Sequence, residues 1–302
     1  MPREKLKPCP VFDRLRGEAS VGEGLCEWLQ MRDGTKIFLQ SWMPEEAPRG
    51  AVVCFHGAGG HGQFFALFAD FLVPRGVAVF VADYRGHGLS GGVRGDFASF
   101  QTLLDDCHEV VTEAKKRLPG VPVNILGESM GGAVAVNYAA IHGDAVAGMI
   151  LLAPALLFRK SIPWPQILYL PYYLLAAALA PGRPVIGIKG NEEMGIKNPL
   201  HIEYDKTDPQ HLKNISPRYF LQLNRYMAIG LKECPAKITA HTILFQGGRD
   251  PAIDPAGARL FIENLASDEK ELVIYPQGLH VLLTDPDVPD LKEKIISFIE
   301  KR

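Results

Sequence analysis

The chain is predicted to fold as an α/β protein: a mostly parallel central sheet with helices on both faces and a helical cap inserted before the last two strands. Three observations point there. Short apolar runs of strand character alternate with amphipathic runs of helical period along both halves of the sequence, the pattern of a doubly wound sheet. Glycine-rich stretches follow the apolar runs, and in such sheets the chemistry sits at the carboxyl ends of the strands. Between about residues 155 and 234 the alternation stops, over a span too long for a plain loop. Residues 1–154 and 235–302 are therefore read as the core, and 155–234 as the cap.

Composition sets the bounds. The 302 residues are 47% hydrophobic and 22% charged, with a formal net charge of -2, ordinary for a globular protein that buries a full core. So balanced a charge gives no reason to expect nucleic acid as a partner. Cys9, Cys26, Cys54, Cys107 and Cys234 are scattered and form no CxxC pair, against a disulfide framework or a structural zinc site. Met1-Pro2-Arg3-Glu4-Lys5 is charged and lacks the apolar segment of a secretory signal, so a cytoplasmic location is expected.

In order, residues 1–20 are rich in proline and charge and read as a lead-in. Residues 24–31 and 35–42 flank Asp33-Gly34, a turn pair between two alternating runs, hence a hairpin. Residues 51–55 are continuously apolar, as in a strand buried on both faces, and end in the glycine-rich 56–62. Helical spacing resumes from Phe64 to Leu72 and stops at Pro74 and Gly76. Residues 77–82 form the next buried strand, followed by the loop 83–92. A long amphipathic helix spans 97–118 and is closed by Pro119-Gly120. Later come strands at 148–153, 242–246 and 271–275, with helices at 255–266 and 288–301.

The decisive stretch lies between them. Val123-Asn124-Ile125-Leu126 has strand character, Gly127-Glu128-Ser129-Met130-Gly131 follows, and a helical run begins at Ala133. G-x-S-x-G in a strand–turn–helix setting is a nucleophile elbow. Its turn is so tight that a Cβ two residues either side of the serine would not fit. The serine then sits at a helix N-terminus, which favours the negative charge that develops in acyl transfer.

A serine hydroxyl needs a base, and the base needs an orienting acid. In this arrangement the chain order is serine, acid, histidine. Asp250, at the turn past strand 242–246, is the expected acid. Asp254 is its rival, though it also suits the N-cap of the helix opening at Pro255. His280, after the last strand, is the expected base. His142, His201, His211 and His241 have no comparable setting, and His108 lies inside the long helix. His56, His61 and His87 precede the serine and read as loop-fixing or pocket residues.

A tetrahedral intermediate needs two donors, expected to be the backbone N–H groups of Met130 and Ala58. The loop 56–62 lacks the G-K-[ST] of a P-loop and the spacing G-x-G-x-x-G, so no nucleotide cofactor is expected. No cluster of His, Cys and carboxylate suggests a metal.

Ser161 through Gly182 carries no charge and is rich in Leu and Tyr. Its length would suit a membrane span, but Pro163, Pro165, Pro171 and Pro181 break it. A lid, apolar toward a binding cavity and toward lipid, fits better. Ile162, Leu168, Leu175 and Leu179 are its expected substrate contacts.

Taken together, Phe55-His56-Gly57-Ala58-Gly59, Asp83-Tyr84-Arg85-Gly86-His87-Gly88, Leu126-Gly127-Glu128-Ser129-Met130-Gly131-Gly132, Gly247-Gly248-Arg249-Asp250 and Gly278-Leu279-His280 resemble the α/β-hydrolase superfamily. Within it they resemble the monoacylglycerol lipase and lysophospholipase group, over residues 24 to 300. Lys197-Asn198-Pro199-Leu200 and Thr207-Asp208-Pro209, in the cap, match that group more loosely. The resemblance implies an ester hydrolase with Ser129, Asp250 and His280 as triad and the Ala58 and Met130 amides as oxyanion hole. It implies a small lipid ester as substrate, and peripheral membrane contact through the cap. Glu128 departs from the vertebrate lipases of the group, which carry histidine there. The same core also serves broad-specificity carboxylesterases, thioesterases, peptidases and perhydrolases, and the fold can serve as a small-molecule receptor.

Overall fold

A computed structural model describes residues 10–17, 20–22, 24–159, 170–188 and 195–301. An eight-stranded sheet runs through its centre in the order β1-β2-β4-β3-β5-β6-β9-β10. The edge hairpin is β1 (Leu25–Gln30) and β2 (Lys36–Trp42). Its two strands are antiparallel, with Leu29 opposite Ile37, and β2 is antiparallel to β4. All other pairings are parallel: β3 (Gly50–Phe55), β4 (Val77–Ala82), β5 (Val123–Glu128), β6 (Gly148–Leu152), β9 (His241–Gly247) and β10 (Lys270–Tyr275).

The unbroken apolar runs have a simple cause: helices cover both faces. Along β4, Ala78, Phe80 and Ala82 enter one core and Val77, Val79 and Val81 the other, the period of two that a strand imposes. The first core is closed by α3 (Phe100–Arg117), α4 (Met130–His142) and α8 (Pro255–Asn264). The second is closed by α1 (Pro10–Arg16), α2 (Ala66–Leu72) and α9 (Leu291–Glu300). Helix α3 begins three residues later than its hydrophobic pattern, because Ser99 caps it by accepting from the Thr102 N–H.

Between β6 and β9 the described chain forms α5 (Leu170–Leu179), β7 (Ile186–Gly187), α6 (Pro199–Thr207), β8 (Asn214–Ile215) and α7 (Pro217–Lys232). This segment is not all helix, since β7 and β8 pair as a small antiparallel ribbon. Tyr219, Leu223 and Met227 of α7 join the same core as Val134 and Val136 of α4. Asp96, on the loop after β4, fastens the segment by accepting from Ser216 Oγ at 2.5 Å and pairing with Arg218. Among the described residues, no helix is long and apolar enough to cross a membrane.

Candidate active site

Ser129 stands between β5 and α4 with φ 53 and ψ −116. A side chain in the positive-φ region costs on the order of 1–2 kcal/mol, so the surroundings must impose it. They do. The Ser129 N–H donates to Leu152 O at 3.0 Å, and the Ser129 carbonyl accepts from Gly132 at 2.9 Å and Ala155 at 2.8 Å. The flanking glycines allow the close approach: a Cβ on Gly131 would lie 1.8 Å from Phe55 O, and one on Gly127 2.3 Å from Gly131 O.

The loop after β10 brings His280 to this turn. Its Nε2 is 3.0 Å from Ser129 Oγ, and its Nδ1 is 2.7 Å from Asp250 Oδ2. Asp250 is fully buried, and its Oδ1 accepts from the N–H groups of Ala252 and Ile253 at 2.8 and 2.9 Å. Gln246 Nε2 donates to Oδ2 at 3.1 Å. A carboxylate so placed fixes the proton on Nδ1 and leaves Nε2 free to accept from the serine. Burial favours the neutral His280 ring, but Asp250, aided by Glu128, outweighs it and raises the pKa above the ordinary histidine value. Asp254 instead caps α8 by accepting from Ala256 N at 3.0 Å.

The loop after β3 forms the facing wall. His56 Nε2 accepts from the Tyr84 N–H at 3.0 Å, and Nδ1 lies 2.9 Å from Gly57 O. Both bonds are satisfied by one neutral tautomer, and burial holds the pKa well below the usual value. His56 therefore braces the loop. It presents Gly57 and Ala58 to a cavity of about 100 Å³ that also exposes Ser129 and His280. Met130 opens α4, where an N–H lies outside the intrahelical ladder. His87 braces the next loop through Arg85 O at 3.1 Å and Tyr219 Oη at 3.2 Å. Burial lowers its pKa to about 4.

Helix α6 supplies a cavity wall that the sequence did not disclose. His201, Tyr204 and Asp205 line it, with Asp208 and His211 just beyond the helix. Asp205 lies 3.5 Å from His201 Nε2 and 3.8 Å from His211 Nδ1, and His201 Nδ1 is 2.8 Å from Thr284 Oγ1. Asp208 meets His61 Nε2 at 2.5 Å. His201 and His211 have no recognisable setting in sequence. Only Asn198-Pro199, the N-cap and first residue of α6, and Thr207-Asp208-Pro209 offered a signal. Phe64, Phe65, Ile188, Ile196 and Val281 add apolar lining, and the Phe64 ring packs on His201 with centroids 4.7 Å apart. Among the described residues, no group of three His, Cys, Asp or Glu is placed to hold a metal.

The expected lid contacts fare differently. Ile162 and Leu168 lie outside the described residues. Leu175 and Leu179 are 58% and 77% exposed and are not in the cavity wall, a correction to the sequence expectation. Helix α5 packs on α7, and a helix apolar on every side must leave some apolar residues facing water.

Residues 46–287 match the family described as serine aminopeptidase, S33. The chain is 30% identical to the monoglyceride lipase of Homo sapiens, covering 83% of this chain and 81% of that one. It is 27% identical to the monoacylglycerol lipase of Mycolicibacterium smegmatis, over 88% of this chain and 93% of the other. The crystal structure of Paleococcus ferrophilus monoacylglycerol lipase superposes with a TM-score of 0.76 at 22% identity, covering 88% and 98% of the two chains. The α/β-hydrolase fold is shared.

Proposed function

The chain belongs to the serine aminopeptidase S33 family of serine hydrolases, and from its likeness to the monoglyceride and monoacylglycerol lipases we propose that it cleaves monoacylglycerols, or similar single-chain lipid esters, to fatty acid and alcohol. The observation that carries the chemistry is the line Asp250 Oδ2, His280, Ser129 Oγ, joined at 2.7 and 3.0 Å. In this reading Ser129 Oγ attacks the ester carbonyl while its proton passes to His280 Nε2. The Ala58 and Met130 amides hold the oxyanion. Collapse breaks the carbon–oxygen bond, and the leaving alcohol takes the proton from His280. Water, deprotonated by the same nitrogen, then releases the acid from Ser129. Asp250 holds the ring in its working tautomer throughout.

Residues 155–234 serve as the lid in this proposal. The exposed Tyr172, Leu174, Leu175 and Leu179 of α5 are an apolar surface suited to rest on lipid, where such substrates partition.

The test is steady-state hydrolysis of glycerol monoesters from short to long acyl chains beside matched p-nitrophenyl esters, with Ser129→Ala as control. Preference for medium or long monoacylglycerols, and a kcat about 10⁶-fold lower in the variant, is expected. Activity confined to short activated esters would reduce the reading to a general carboxylesterase. Activity retained in Ser129→Ala would remove the proposed nucleophile.

A further inference from the structure

The residue before the nucleophile has no task in the chemistry above. Glu128 closes β5 at 7% exposure and lines the cavity beside Ser129. Among the described residues, its Oε1 is buried with no hydrogen-bond partner. A buried carboxyl oxygen without a partner is unfavourable, and leucine, close to glutamate in size, would make a more stable wall. The position thus carries a buried carboxyl oxygen that no described residue satisfies.

Its surroundings indicate what would. The groups that act on it are His280 from the loop after β10, His201 and Asp205 from α6, and Cys54 from β3. Burial raises the Glu128 pKa against the pull of His280 and His201, and a carboxyl in either protonation state can accept a hydrogen bond from a hydroxyl. The wall toward α6 is where His201, Asp205 and His211 gather. A polar alcohol belongs on that side of the scissile bond, and an acyl tail does not.

We propose that Glu128 selects the alcohol half of the ester: its carboxyl exchanges a hydrogen bond with a free hydroxyl of the leaving alcohol, so that polyol esters are preferred over alkanol esters of the same acid. This rests on the ester-hydrolase reading of the site. A site built around such a bond discriminates against the alcohol lacking it, because the buried group is then left unpaired.

The experiment compares kcat/KM for the glycerol monoester and the propyl ester of one fatty acid, in the wild-type chain, Glu128→Leu and Glu128→Gln. The glycerol-to-propyl ratio is expected to fall about 10- to 100-fold in Glu128→Leu. It should stay within about threefold of wild type in Glu128→Gln, whose amide still donates and accepts. Because the ratio is taken within one enzyme, partial misfolding cancels. An unchanged ratio in Glu128→Leu, with both esters hydrolysed by the wild type, overturns the role of Glu128 alone. Failure of the wild type on both esters overturns the ester-hydrolase reading, and this inference with it.

Discussion

Asp250 Oδ2 lies 2.7 Å from His280 Nδ1, whereas Asp254, four residues on, turns its carboxyl to the first turn of α8. The two aspartates should therefore fail in different ways. Asp250→Asn is expected to lower kcat/KM by about 10⁴-fold, since the amide no longer enforces the working tautomer. The pH profile should move as well. In the proposed mechanism His280 acts as a neutral base, and Asp250 raises its pKa, so loss of Asp250 should shift the acid limb to lower pH. Asp254→Ala should leave the rate alone and cost about 1 kcal/mol of stability as a lost cap. Kinetics against pH, with urea unfolding, separates them.

The elbow makes a second prediction. A Cβ on Gly131 would meet Phe55 O at 1.8 Å, and the obstacle is backbone of a central strand. Gly131→Ala should destabilise the fold by about 3 kcal/mol. Gly143 is the control: its φ is −56, and nothing lies within 4 Å of the place an alanine Cβ would take. Alanine there should be neutral or stabilising, by up to about 1 kcal/mol. Equal unfolding midpoints for the two variants would contradict the geometry.

Much of this was legible because it is local. The elbow announces itself through glycines required within two residues of Ser129, and the parallel strands through apolar runs that need cover on both faces. Asp250 and His280 were legible through chain order and their place after strands. The α6 wall was not. His201, Asp205 and His211 acquire meaning only when the segment between β6 and β9 folds back over the sheet edge, and no spacing in the sequence records that approach. Leu175 and Leu179 misled for the opposite reason, since a uniformly apolar helix does not say which side faces the cavity.

Arg85 and Asp106 supply a third test. The guanidinium meets both carboxylate oxygens, at 2.6 and 2.7 Å, and ties the loop after β4 to α3. Asp106 is buried, and Arg85 is mostly so. Burial raises the Asp106 pKa while Arg85 opposes it. Arg85→Ala should cost about 3–5 kcal/mol, because it strands a buried acid. Adding Asp106→Leu should recover much of that loss. A double variant less stable than Arg85→Ala would show that the pair is not the source.

The dyad of His61 and Asp208 joins the loop after β3 to the end of α6 at 2.5 Å, and its stabilising effect should depend on pH. Burial alone would lower the His61 pKa, but the hydrogen bond to Asp208, with the charges of Asp83, Asp208 and Asp205, outweighs it and the value is raised above 6.5. Burial would raise that of Asp208, but His61 outweighs it and the value falls below 3.8. A raised histidine contributes fully below its unfolded pKa and loses the contribution as pH rises through the folded value. A depressed aspartate contributes fully above its unfolded pKa and loses the contribution as pH falls through the folded one. The pair is therefore at full strength between 3.8 and 6.5. Asp208→Asn should lower Tm most at about pH 5.5 and less at about pH 9, since the raised histidine loses its contribution as pH rises through the folded value. The measurement is thermal unfolding of both proteins at the two pH values, and an equal Tm difference at each would refute a charge-paired dyad.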